Sequence, residues 1–168
     1  MAKTKKSEFL KLIKAAVAAC CLYLWGGQGE SVLLTPPEKI VKMETSATNA
    51  GRVLALLSEK VKKGLITAAS QYFDCSGLMT YHLLKLGLIK ADMTADGLMK
   101  KCSNVRAISG VKDYDFVFAV NAAGKAEHVG FYYKGDVYEA RGRDYGVGVW
   151  KLANRTNFNK CGTFKWTA

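Results

Sequence analysis

Apolar positions along this chain follow two rhythms. Over roughly the first hundred residues they recur every three or four positions, the spacing of a helix face, and afterwards they alternate in short blocks. Phe9, Ile13, Ala16, Val17 and Cys20 make one face of a first amphipathic helix, with Ser7 as its expected N-cap. Tyr23-Leu24-Trp25-Gly26-Gly27-Gln28 then ends regular structure, because paired glycines favour turns and close backbone approach. Thr35-Pro36-Pro37-Glu38 joins a capping-box pattern to proline at a first helical position, predicting a short helix to about Glu44. The next helix is expected from about Thr48, carrying Val53, Leu54, Leu57 and Val61 and stopping at Gly64. Met79, Leu83 and Leu86 share a face of a helix that begins beside Cys75 and closes at Gly87. One more short helix is expected within Ala91 to Cys102, capped by Asp92 or Thr94.

The second half reads as strands. Phe116 to Val120 is expected to run into a turn at Asn121 to Gly124, followed by Glu127 to Tyr133. A tight turn at Gly135-Asp136 leads to Val137 to Ala140, and Gly146 to Leu152 and Gly162 to Trp166 complete the run. Helices first and antiparallel strands after predict an α+β fold: N-terminal helices packed on a C-terminal antiparallel sheet of about five to six strands. No repeat, low-complexity tract or linker divides the 168 residues, so residues 1–168 are read as one domain.

Composition narrows the partners. A hydrophobic content of 49% argues against disorder, whereas 25 Lys and Arg against 14 Asp and Glu leave a net charge of +11. That balance points to a polyanionic neighbour: nucleic acid, an anionic membrane or an anionic cell wall. The basic residues are dispersed, with a short cluster at Lys3, Lys5 and Lys6 and pairs at Lys62-Lys63 and Lys100-Lys101. No nucleic-acid-binding motif accompanies them, so nucleic acid is not expected as a partner. Five cysteines (Cys20, Cys21, Cys75, Cys102 and Cys161) are an odd number without framework spacing, which suits a reduced protein better than a disulfide scaffold. With two histidines and no C-x-x-C or H-x-x-x-H spacing, neither a metal site nor a cofactor is expected. Val17-Ala18-Ala19-Cys20 resembles a lipoprotein cleavage box, but Lys11 and Lys14 cut the apolar run far below the ~20 residues of a spanning helix. The first helix is therefore assigned to the domain, with no membrane insertion and no convincing signal peptide.

Asp74-Cys75-Ser76-Gly77 places a thiol in the first turn of a helix, where the dipole and free N–H groups favour a thiolate. The same pattern also fits a small buried residue beside a cap, with Asp74 or Ser76 as the capping side chain. A cysteine nucleophile needs a base, and the base an orienting group. His82 lies seven residues along the same helix, too far to reach the sulfur, and reads as a surface or packing residue. His128 stands on a strand beside Gly130, as base or as an ordinary strand residue. Glu139, across the hairpin, comes within a few residues of its register and suits the second ring nitrogen. It suits equally an ion pair with Arg141 or Arg143 on a solvated face.

Tyr23-x-Trp25-Gly26-Gly27, Phe73-Asp74-Cys75-Ser76-Gly77-Leu78 and His128-Val129-Gly130-Phe131-Tyr132 occur in the order of the NlpC-type cysteine peptidases, which this chain resembles over about Ser7 to Leu152. The resemblance implies a papain-like fold and cleavage of peptidoglycan stem peptides. It makes Cys75 the nucleophile and His128 the base. The third polar residue of that family is usually histidine, asparagine or glutamine, and here its place falls to Glu139. Tyr23 and Trp25 are carried over as substrate-binding residues, with Asp74 and Ser76 beside the nucleophile.

A second departure is the 45-residue passage from Gln28 to Tyr72, where the family has a short loop. It is read as a helical insertion at about 29–72, a wall or lid of the groove whose deletion alters substrate choice more than folding. This insertion and Glu139 to Val147 resemble a branch found in phages and prophages of Gram-positive bacteria. The resemblance thus implies a lysin, made in the host cytoplasm, that acts as a monomer on the cell wall. It implies cleavage between D-γ-glutamyl and the diamino acid. Two alternatives stay open: an amidase or acyltransferase with the same Cys-His pair, and a catalytically silent wall-binding or phage structural module.

Overall fold

The computed structural model describes residues 4–167. Lys3, expected in a basic cluster with Lys5 and Lys6, lies outside the described residues. The first helix, α1 (Lys5–Ala18), starts one turn earlier than its expected cap. Thr4 is the N-cap and accepts from the Ser7 backbone N–H, so Ser7 stands inside the helix. The buried face of α1 is Phe9, Leu10, Ile13 and Ala16, while Cys20 falls beyond the helix end at φ 53°.

The insertion begins with β2 (Gln28–Ser31), which follows the short β1 (Leu22–Tyr23). Its helices are α2 (Pro37–Met43) and α3 (Ala47–Lys62), and β3 (Gln71–Phe73) closes it. A proline opens α2, but it is Pro37, one residue later than a Thr35 cap requires: Pro36 is the N-cap, and the Thr35 hydroxyl donates to the Ser31 carbonyl at 2.6 Å. Ser46 caps α3, and Gly64 takes the left-handed conformation just past its end. Ala50, Val53 and Leu56 form its buried stripe, whereas Val61 is exposed. β1, β2 and β3 form a small sheet in the order β1-β3-β2, with β1 parallel to β3, an element the helical periodicity of this half concealed.

After α4 (Cys75–Lys85) and α5 (Ala95–Lys101), capped by Asp74 and Thr94, the chain enters the large sheet. Its strands are β4 (Ser103–Ala107), β5 (Phe116–Val120), β6 (Ala126–Tyr133), β7 (Asp136–Ala140), β8 (Val147–Lys151) and β9 (Lys160–Thr163). They pair antiparallel throughout in the order β4-β9-β5-β6-β7-β8. The β6–β7 turn uses Lys134 and Gly135, both at positive φ, which leaves Asp136 as the first residue of β7. β4 was not anticipated, because Ser103-Asn104-Val105-Arg106-Ala107 has little apolar alternation and lies at the sheet edge. The fold is α+β with a six-stranded antiparallel sheet, as the order of rhythms predicted.

Strand alternation divides the core. Phe116, Phe118 and Phe131 face the helices and pack with Phe9, Ile13, Leu78, Met79 and Leu83. Val117 and Val137 face the opposite side, beneath Phe158. Gly130 belongs to that opposite side, where a Cβ would come within 3.2 Å of the Phe158 ring. A third cluster joins Val32, Ile40, Ala50, Val53 and Leu56 of the insertion to Leu22, Leu24 and Tyr72 outside its helices. The insertion's apolar side chains thus pack against Leu22, Leu24 and Tyr72, so removing 31–70 would uncover apolar residues as well as reshape the groove. Ile40→Ala, at a position with no exposure, is expected to cost about 2–5 kcal/mol of unfolding free energy. Urea titrations by tryptophan fluorescence and far-UV circular dichroism should show one coincident, shifted transition; separate transitions would mark the insertion as an independent unit.

Candidate active site

Two motifs meet at the start of α4. β3 delivers Asp74, whose backbone N–H donates to the Gly27 carbonyl at 3.0 Å. One oxygen of its carboxylate accepts from the Gly77 N–H at 2.6 Å, the other from the Gly26 N–H at 3.2 Å. The Ser76 hydroxyl adds a 3.4 Å bond. A Cβ at Gly77 would run into the Gly27 carbonyl oxygen, and one at Gly27 would meet the Phe73 backbone at 3.0 Å. The glycines of both motifs therefore let two backbones touch. Burial raises the Asp74 carboxyl, and its bonds to Gly77 and Ser76 only partly offset that. Asp74, expected as a substrate-binding residue, has both oxygens engaged in this clamp. Cys75 is the first residue of α4, partly exposed.

Among the other thiols, burial pushes Cys21 up to about 11 and Cys102 up to about 12. Both stay protonated at neutral pH and are poor nucleophiles. All five cysteines are free.

The histidine expected as base and its expected partner come from the large sheet. His128 on β6 bonds through Nε2 to Glu139 Oε1 on β7 at 2.9 Å. Glu139 has no exposure and His128 little. Burial alone would lower the His128 pKa, but hydrogen bonding and charge from Cys75 and from Glu139 outweigh it and raise the ring to about 9. His82, by contrast, is buried among Phe9, Phe73 and Tyr81, with Nδ1 at 2.7 Å from the Leu78 carbonyl oxygen. It is a packing residue, and burial lowers its pKa.

Glu139 does not pair with Arg141 or Arg143. Its partner is Arg155, whose Nε and Nη2 meet the two carboxylate oxygens at 2.9 and 2.6 Å. Burial raises the Glu139 carboxyl, and Arg155 and His128 together bring it below its ordinary value. Phe158 stacks on the His128 ring, with centroids 5.5 Å apart. Neither Arg155 nor Phe158 was legible in the sequence: both lie in the irregular segment between β8 and β9, where no period or motif marks them. Arg141 instead stands over the rings of Tyr145 and Trp150.

Cys75 lies in a groove of about 430 Å³ with Tyr23, Trp25, Asp74 and Ser76 on its wall, and Lys125 and Glu127 also line it. Five of the seven residues expected at the site therefore line one cleft; His128 and Glu139 are not among its lining residues, and His128 reaches it through a hydrogen bond with Cys75. Arg143 makes a bidentate pair with the buried Glu44 of the insertion at 2.9 and 2.7 Å, and its guanidinium lies 5.4 Å from the Tyr23 ring centroid. Glu44 also accepts from the Trp25 N–H at 3.3 Å. Burial raises the Tyr23 hydroxyl, followed by the charges of Cys75 and Asp74, so it remains a donor across the working range. Among the described residues no group of His, Cys, Asp and Glu is arranged to hold a metal, and no helix is long and apolar enough to cross a membrane.

Residues 21–157 match the NlpC/P60 family. No curated protein matches the chain. Among solved structures, the P60 domain of an antigen from M. avium subspecies paratuberculosis superposes with a TM-score of 0.61 at 18% identity, covering 98% of this chain and 96% of that one. The NlpC/p60 domain of the peptidoglycan hydrolase SagA gives 0.57 at 15% identity, with 95% and 98% covered. RipD from Mycobacterium tuberculosis, described as a non-catalytic NlpC/p60 domain protein adapted to peptidoglycan binding, gives 0.54 at 16%, with 89% of each covered. At these identities the likeness is one of fold.

The raised His128 pKa makes a prediction about stability. Protonation stabilises the fold fully below about 6.5, the ordinary histidine value, and this contribution is lost as pH rises through about 9. Urea unfolding compared between about pH 6 and pH 10 should therefore show a smaller decline for His128→Gln than for the intact protein. Equal declines would mean that the ring is not held as the imidazolium.

Proposed function

Because the chain belongs to the NlpC/P60 family of peptidoglycan hydrolases, we propose that it cleaves peptidoglycan stem peptides with Cys75 as nucleophile and His128 as base. The observation that carries this reading is the buried Glu139–His128 bond at 2.9 Å, beside a groove that contains Cys75. A histidine kept as imidazolium at neutral pH is the counter-ion a thiolate requires.

The thiolate attacks the scissile carbonyl, and the tetrahedral oxyanion is met by the Cys75 backbone N–H at the start of α4. The Tyr23 hydroxyl supplies a second donor from the groove wall. His128 then protonates the leaving amine, and it takes the proton of the water that hydrolyses the thioester. Glu139 holds the ring in the tautomer and orientation that these transfers need. Trp25 and Ser76 flank the nucleophile and shape substrate binding, while Asp74 holds the turn that carries it.

The bond proposed is that between D-γ-glutamyl and the diamino acid, and the setting a phage or prophage lysin acting at the cell wall. The +11 charge favours adsorption to a wall rich in anionic polymers. Purified walls should lose turbidity in the presence of the protein, with Cys75→Ala slower by about 10⁴-fold or more and Cys102→Ala close to the intact enzyme. Mass analysis of muropeptide products should show new D-γ-glutamyl carboxyl termini. Release of whole stem peptides, or acyl transfer, would identify the amidase or acyltransferase alternative. Walls from several bacteria left intact would identify a silent binding module.

A further inference from the structure

The irregular segment from Leu152 to Asn159 encloses the base from two directions. Its Arg155 meets Glu139 side-on with two hydrogen bonds, and its Phe158 covers one face of the His128 ring. The segment is itself pinned. Arg155 N–H donates to the Leu152 carbonyl at 2.9 Å, and the Asn159 side chain makes two bonds, 2.8 and 2.9 Å, to the Val120 backbone. The Arg155 guanidinium also lies 5.4 Å from the Phe158 ring centroid, so charge partner and aromatic cover brace each other.

The stoichiometry of charge in this enclosure is informative. Glu139 has no exposure, and its Oε1 serves both His128 and Arg155. A buried carboxylate with only an imidazolium for company would compete with the Cys75 thiolate for the same positive charge. It would also leave a net negative site, in which the thiolate's charge must pass to the carbonyl oxygen as the C–S bond forms. With Arg155 present, thiolate, imidazolium, carboxylate and guanidinium sum to zero. We propose that Arg155 is a positioning residue whose charge cancels that of Glu139, so that a buried pair of zero net charge, and not a lone carboxylate, orients His128.

This inference rests on the reading of Cys75 and His128 as nucleophile and base. The ionisable groups facing the pair are His128 on β6, Cys75 on α4 beyond it, and the Tyr145 hydroxyl on the loop after β7. The pair is interdependent by construction. Removing one charge strands the other in a dry site, whereas removing both leaves an amide oxygen that still accepts from Nε2.

The test is a double-mutant cycle with Glu139→Gln, Arg155→Met and the two combined, together with Arg155→Lys. Each single neutralisation is expected to lower kcat/KM on purified walls by about 10²-fold, and the double variant to recover at least tenfold over Glu139→Gln. Removing Arg155 takes away the main stabiliser of the Glu139 anion, so the carboxyl protonates at higher pH. The acid limb of kcat/KM, and the Glu139 ¹³C carboxyl titration, should move up by about one pH unit or more in Arg155→Met. Both should stay near their original positions in Arg155→Lys. Melting temperatures should fall by about 6 °C or more in each single variant and partly recover in the double. Losses that multiply, or an acid limb unmoved in Arg155→Met, would overturn the proposal. So would a double variant that does not fold. If the intact protein leaves walls undigested, the functional reading fails, and the carboxyl titration and melting temperatures still decide whether the two charges act as one unit.

Discussion

Everything at this site depends on one contact between backbones, the seating of Gly27 on the first turn of α4. Asp74 makes it possible by accepting from both partners, Gly26 on the loop and Gly77 on the helix. A side chain at either glycine of the contact would force the two segments apart. The consequence is that Cys75 and the Tyr23 to Gly27 loop form one rigid piece, with the thiol at a helix N-terminus and Tyr23 beside it. The helix dipole and the free N–H groups of that turn then point at the Cys75 thiol, where the proposed mechanism places negative charge.

The second piece is the sheet, and the aromatic core fixes its distance from the first. Phe9 packs edge to face on Phe116 and on Phe131 between α1 and the inner strands, while Leu78, Met79 and Leu83 of α4 close the same cluster. His128 is two residues from Gly130 and three from Phe131 on β6, so the strand that builds this core also carries the proposed base. The opposite face of the sheet is no less committed. Gly130 leaves room for Phe158, and Phe158 lies flat against the imidazole. The electrostatics follow from that burial. Desolvation acts against every charged form, and only paired groups overcome it: Arg155 for Glu139, Arg143 for Glu44, Glu139 and Cys75 for His128. The insertion joins this scheme through Glu44, which ties α2 to Trp25 and to the Arg143 that stands over Tyr23.

Sequence and structure agree where a local rule has one solution. Helical periodicity located α1, α3 and α4, a capping residue located α5, glycines closed α3 and α4, and short apolar blocks between turn residues located β5 to β8. Cys75 and His128 were visible because only one cysteine opens a helix and only one histidine lies on a strand. Small shifts came where two local rules compete: Thr4 against Ser7 as cap, or Pro36 against Thr35. The parallel pairing of β1 with β3 spans the whole insertion and leaves no trace in either segment's composition.

The sequence by itself therefore determined the element types, the α+β class and the two residues, Cys75 and His128, on which the proposed chemistry rests, because periodicity, caps and motif order are written in neighbouring positions. Only the tertiary structure decided what each charged side chain meets. Glu139 had Arg141 and Arg143 close by in sequence, yet it pairs with Arg155, because the sheet turns Arg141 toward Tyr145 and Trp150 and the insertion's Glu44 takes Arg143. Ion pairing of buried groups is settled by which partners desolvation leaves within reach, and that is a property of packing, not of spacing along the chain.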